Sequence, residues 1–148
     1  SIGAGNFLVE IQQSSNDTFR VYDFDRTDAS GNKRELHVAQ AREALDYKAY
    51  PEYRTHYEAK DDCCTLLVVC PQFTTRRYAL TKPFISDCSD IDSFVIFIAY
   101  EGAALLRDAE GNETMLNAGE AVLFPASNTS VTIEPQTPRF ACLDTYCK

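Results

Sequence analysis

From Cys63 onward, short β-branched and aromatic runs alternate with turn residues at a spacing of about 8–12 residues. A chain broken this often cannot form long amphipathic helices. It buries its apolar residues by pairing short strands, which predicts a β-sandwich or small barrel. The expected strands are Thr65–Cys70, Phe73–Leu80, Phe94–Tyr100, Ala103–Arg107, Glu113–Leu116, Ala121–Phe124, Ser130–Glu134 and Arg139–Tyr146. Turn signals divide them at Glu101-Gly102, Ala109-Glu110-Gly111-Asn112, Ala118-Gly119-Glu120 and Pro135 to Pro138.

The first 60 residues read differently. Asn6–Gln12 and Thr18–Phe24 are expected as two strands joined at Ser14-Ser15-Asn16-Asp17, and Asp28-Ala29-Ser30-Gly31-Asn32 is expected as a loop. Leu36, Val38, Ala41 and Leu45 then fall near one helical face, which predicts a single helix that Pro51 ends. The division expected is an N-terminal piece, 1–26, a loop-and-helix connector, 27–60, and a β-sandwich, 61–148.

Charge narrows the partners. The 148 residues carry 14 Lys and Arg against 22 Asp and Glu, a formal charge of −8. Nucleic acids and anionic membranes call for a basic face, so neither is expected as a partner. No apolar run approaches the ~20 residues of a membrane span, and no signal peptide is visible. Opening on Ser1-Ile2-Gly3 without Met reads as the inside of a longer protein. Six cysteines, Cys63, Cys64, Cys70, Cys88, Cys142 and Cys147, include no Cys-x-x-Cys pair. They are expected as free thiols in a reducing cytosol. The sequons at Asn16, Asn112 and Asn128 are read as chance.

Few residues could do chemistry. The two histidines, His37 and His56, belong to no His-x-His or His-Glu-x-x-His motif and are expected on the surface or in packing. There is no Gly-x-Ser-x-Gly elbow and no phosphate loop, and Gly3-Ala4-Gly5 reads as a turn. Glu10 and Gln12 would share one strand face, and Arg20, Tyr22 and Phe24 another. Those faces are polar where a core strand would be apolar, which fits a solvated face or a site.

Two blocks carry a resemblance. The first is Ser1-Ile2-Gly3-Ala4-Gly5 with the run from Val9 through Glu10, Arg20 and Tyr22 to Arg26; the second includes Arg34-Glu35-Leu36-His37 and the tail Leu116 to Ala126. Together they closely resemble the bacterial mannose-6-phosphate isomerases, zinc-dependent enzymes of the cupin superfamily. The resemblance implies a mainly all-β, cupin-type jelly-roll β-sandwich or barrel with one connecting helix. It also implies that the chain is the C-terminal portion, starting just after the last metal ligand. Zinc would belong to the full-length parent, with no metal residue and no cofactor expected in this fragment, which would be inactive alone.

The implied reaction interconverts mannose 6-phosphate and fructose 6-phosphate through an enediol. The implied roles are catalytic for Arg20 and Glu10 and substrate-binding for Arg26. The implied partners are the sugar phosphate and the missing N-terminal cupin domain, in the cytoplasm. Residues 61–148 would be a metal-free cupin, since Ser127 and Ser130 stand where such a motif has Gly and His, and Lys82–Ile91 has no histidine. The other classes left open are a non-catalytic sugar-binding cupin and a structural module.

Overall fold

The computed structural model describes residues 2–12, 14 and 17–147. The chain divides into two units, Ser1–Tyr53 and Arg54–Lys148. In the second, the described residues form nine strands: β1 Cys63–Val69, β2 Phe73–Leu80, β3 Phe84–Asp87, β4 Val95–Glu101, β5 Ala103–Arg107, β6 Glu113–Asn117, β7 Ala121–Phe124, β8 Ser130–Pro135 and β9 Phe140–Cys147. They make a five-stranded sheet, β1-β2-β9-β4-β7, and a four-stranded sheet, β3-β8-β5-β6. Every pairing is antiparallel.

The alternation predicted from the sequence becomes the core. Val95, Phe97 and Ala99 of β4 point inward, as do Ala104 and Leu106 of β5, Val131 and Ile133 of β8, and Phe140 and Cys142 of β9. Burying each large apolar side chain contributes about 1.5–3 kcal/mol before entropy is counted. Gly102 lets the chain cross from one sheet to the other in a single residue. Its φ is +70°, and a Cβ there would run into the Arg139 carbonyl oxygen.

Eight of these strands coincide with the expected ones, within a residue or two at their ends. The ninth, β3, was not expected. It follows Pro83, and its run Phe84-Ile85-Ser86-Asp87 carries only two apolar residues. It forms because it pairs along β8, from Phe84↔Ile133 to Asp87↔Ser130, a partner more than 40 positions away.

The first unit departs further from expectation. Segments 6–12 and 18–24 form no strand among the described residues, and the connection proposed at Ser14–Asp17 lies partly outside them. The second run is cut short at a turn. Arg26 N–H donates to Asp23 O at 3.1 Å, and the two residues between, Phe24 and Asp25, both have φ of +53°. Two extended segments with no third strand or apolar layer to pack on are only marginally stable. The predicted loop is present, closed by Asp28, whose Oδ1 accepts the N–H groups of Ser30 and Asn32. The helix, α1, covers only Val38–Ala44. Pro51 does not end it: Leu45 already turns to extended backbone, six residues earlier. Of the apolar side chains in this unit only Ala41 is buried among the described residues, and Leu36, Val38 and Leu45 stay exposed. No helix of the described residues is long and apolar enough to cross a membrane.

Candidate functional site

The densest cluster of charge in the first unit surrounds Asp23. Its carboxylate is buried, a rare placement for Asp unless it is paired. Arg34 supplies the pairing as a two-pronged fork, Nε donating to Oδ2 at 2.7 Å and Nη2 to Oδ1. The turn at Phe24–Asp25 folds Arg26 back over the same residue. Its Nη2 lies 3.4 Å from Oδ1, and its Nε donates to the Asp23 carbonyl at 3.4 Å. Arg20 reaches the same oxygen, Nε 3.9 Å from Oδ1. The bonds from Arg34, outweighing a burial cost that acts the other way, hold the Asp23 carboxyl below the usual carboxylate range.

Arg20 is the best held of the sequence-expected site residues. Its backbone N–H donates to His37 Nδ1 at 3.2 Å, and its carbonyl accepts the His37 N–H at 2.7 Å. Its guanidinium donates to the Glu35 carbonyl at 3.2 Å. His37, expected as a surface or packing residue, therefore staples Arg20 to the start of α1. Arg26 is the most exposed of the three arginines, with its guanidinium 5.9 Å from the centre of the Phe24 ring. Glu10 is exposed, and among the described residues no hydrogen bond or ion pair joins it to Arg20 or Arg26. The structure thus brings Arg20 and Arg26 together around Asp23 and leaves Glu10 outside that cluster.

A shallow pocket opens here, lined by Tyr22, Asp23, Asp25, Arg26, Lys33 and Arg34 with Leu36. Lys33 pairs with Asp25, and Arg34 with Asp23. Arg26 in the lining, and Arg20 beside Asp23 but outside the lining, remain as the surplus positive charge of the cluster, which suits an anion. Sequence reasoning missed Asp23, His37 and Arg34. Asp23 and Arg34 lie in the blocks that carry the resemblance, but nothing in the sequence pairs them, and their contact spans 11 positions.

The second unit holds its own polar cluster inside the sandwich. Asp144 of β9 is completely buried. It accepts from Arg76 Nε at 3.0 Å and Nη2 at 2.6 Å, and from the Tyr78 hydroxyl at 3.0 Å. Ser86 of β3 lies 2.9 Å from the same hydroxyl, and the Arg76 guanidinium sits 5.0 Å from the centre of the Tyr146 ring. Burial works against the charge on Arg76, but Asp144 outweighs it and raises its pKa; burial first, and Asp144 second, push Tyr78 up and keep it protonated.

The zinc implied by the resemblance finds no fitting donor set among the described residues. Among the described residues no three His, Cys, Asp or Glu side chains converge. Asp144 is committed to Arg76, and Nδ1 of His37 to Arg20. Ser130 faces Asp87 across the β3–β8 ladder, and a hydroxyl is a poor zinc ligand. Two of the three sequon amides are engaged or inaccessible: Asn112 Nδ2 donates to Asp108, and Asn128 Nδ2 is buried. Asn16 lies outside the described residues.

Known proteins align with both units. Mannose-6-phosphate isomerase ManA of Bacillus subtilis is 36% identical over 95 residues, which is 57% of this chain and 30% of that protein. Mannose-6-phosphate isomerase of Streptococcus mutans is 38% identical over 85 residues, 55% of this chain and 26% of that protein. Two further B. subtilis proteins align over 88% of the chain at 30% identity. The chain spans between 26% and 41% of the length of these curated relatives. Among solved structures, mannose 6-phosphate isomerase from B. subtilis superposes with a TM-score of 0.67 at 25% identity, over 86% of this chain and 39% of that one. A cupin with a double-stranded β-helix fold from Methanocaldococcus jannaschii superposes with a TM-score of 0.53 at 12% identity, over 67% of this chain and 93% of that one, a likeness of fold alone. No protein-family model matches. In fold, then, this chain is cupin-like, and in sequence it is similar to the bacterial mannose-6-phosphate isomerases over less than half of their length.

Proposed function

We propose that this chain is the C-terminal portion of a mannose-6-phosphate isomerase, and that its first unit supplies cationic side chains to the active site. The observation that carries the reading is the surplus of arginine around Asp23, next to an open pocket. Interconverting an aldose and a ketose phosphate moves a proton between C1 and C2 and builds negative charge on oxygen. Arg20 stabilises that charge or binds the phosphate, since a guanidinium stays protonated and offers a planar fork. Arg26, more exposed, binds the phosphate. Glu10 takes or relays the proton.

In this reading residues 1–26 belong with the catalytic region, 27–60 connect, and 61–148 form a metal-free cupin. The zinc implied by the family is held by residues outside this chain, in the N-terminal cupin that is its partner. The exposed apolar side chains Phe7, Leu8, Phe19, Val21 and Phe24 favour such a cover, since a folded unit rarely leaves so many in water. Alone the chain is inactive. Six cysteines with no disulfide suit a reducing cytoplasm.

The test is steady-state isomerisation of mannose 6-phosphate by the gene product carrying this sequence, with Arg20→Ala beside it. Losing one donor to a developing charge costs on the order of 10²–10³ in rate. An Arg20→Ala variant that keeps more than about a third of wild-type turnover refutes the assignment. Arg20→Lys should restore only part, because a point charge lacks the fork.

A further inference from the structure

We propose that Asp23 is the positioning residue of the anion site: it fixes Arg34 and, with the turn that follows it, sets where Arg20 and Arg26 present their charge to a sugar phosphate. This rests on the reading of Arg20 and Arg26 just given. Three observations carry it independently of the sequence resemblance.

The first is burial. A carboxylate with little exposed surface and three guanidinium groups within 4 Å is the centre of the cluster rather than one of its surface partners. The second is geometry. Arg34 binds it through two parallel N–H bonds, and that bidentate form fixes the orientation of the carboxylate as well as its distance. With both oxygens held, Arg26 and Arg20 each meet Oδ1 from a defined direction at 3.4 and 3.9 Å. Those separations are too long for the full strength of a hydrogen bond, so Asp23 orients these two arginines without consuming them.

The third is the backbone. Phe24 and Asp25 both lie in the left-handed region, where a bulky residue without a hydrogen-bonding side chain is unfavourable. Such strain persists only where its surroundings over-determine it, and it gathers at ligand-binding sites. Here its consequence is visible: it returns Arg26 to Asp23, closing the turn through both Arg26 N–H and Nε onto the Asp23 carbonyl.

Charge balance and positioning make opposite predictions for Asp23→Asn. If Asp23 only offsets positive charge, removing its charge leaves the cluster more cationic and tightens the grip on a phosphate. If it positions, Arg34 loses its fork, Arg20 and Arg26 lose their orientation, and binding weakens. Arg34→Lys separates the two again, since it keeps the charge and removes the fork.

The experiment is calorimetric titration of the gene product carrying this sequence with mannose 6-phosphate at fixed pH, well below each variant's melting midpoint. Asp23→Asn and Arg34→Lys should each weaken binding about tenfold or more, the usual worth of a charge-assisted hydrogen bond. Asp23→Glu, which returns the carboxylate one methylene further out, should recover part of the loss, which a merely structural defect would not do. If Asp23→Asn melts the first unit, Arg34→Lys decides alone. Affinities within about twofold of wild type in both variants, or a tighter Asp23→Asn, overturn the proposal while Arg20→Ala still loses binding. Wild-type protein that fails to bind mannose 6-phosphate, or Arg20→Ala that binds as well as wild type, overturns the functional reading, and this proposal with it.

Discussion

Replacing Asp144 by Ala should cost the second unit about 3–5 kcal/mol, the usual consequence of removing one partner from a buried ion pair. The structure says why the value lies at that end. Asp144 has no exposed surface, and Arg76, only 17% exposed, donates to both of its oxygens from neighbouring β2. Without the carboxylate, the guanidinium is left among Tyr78, Tyr146 and the core, having lost the anion it is hydrogen-bonded to. The Tyr78 hydroxyl would also lose its acceptor, though Ser86 stays beside it. Small domains have only about 5–15 kcal/mol in total, so the variant should be near the edge of folding at 25 °C. The assay is urea unfolding followed by far-UV circular dichroism, with the midpoint and slope compared to wild type. The double variant Asp144→Leu, Arg76→Met tests the cause. A buried pair is often replaced by apolar groups at little cost, so the double variant should recover most of the loss. A single-variant cost below about 1 kcal/mol would show that the pair is not the buried charge described. A double variant no better than the single one would show that the loss arises from packing instead.

Gly102→Ala should lower stability by about 2–4 kcal/mol in the same assay, because a Cβ at φ +70° adds strain and meets the Arg139 carbonyl; a loss within 0.5 kcal/mol would refute the close approach. A thiol reagent at neutral pH should label exposed Cys147 in the folded protein but reach buried Cys142 and Cys88 only on unfolding, since burial pushes both thiols up; rapid native labelling of Cys142 would contradict this. Acid should destabilise the protein through Asp62 and Asp108. Asp62 is lowered first by the Thr81 N–H and Asp108 first by the Asn112 side chain. Both folded values lie below the unfolded one near 3.9, so their stabilisation is complete above about pH 4 and is lost as pH falls through the lower folded values. A melting temperature that rises between pH 5 and pH 3 would reverse that sign.

Arg20 was read as a site candidate because the residues around it form a recognisable block; Asp23, three positions on in the same block, was not. Nothing local tells a buried carboxylate from a solvated one, and only its meeting with Arg34 and with a reversed turn does so. Glu10 was read as a candidate from the same block; it is exposed, and among the described residues no hydrogen bond or ion pair joins it to Arg20.

The period-two alternation of residues 61–148 determined most of the sandwich by itself. Side chains alternate along any strand, so a half-buried strand writes its inner face directly into the chain, as Val95, Phe97 and Ala99 do in β4. What tertiary structure decided was pairing across distance. β3 exists because β8 is there to pair with it, and Asp144 can be buried because register places Arg76 opposite it, 68 positions away. The two run-in segments before residue 26 had strand-like sequences and formed no strand, because a strand is stabilised by neighbours and an apolar layer rather than by its own backbone.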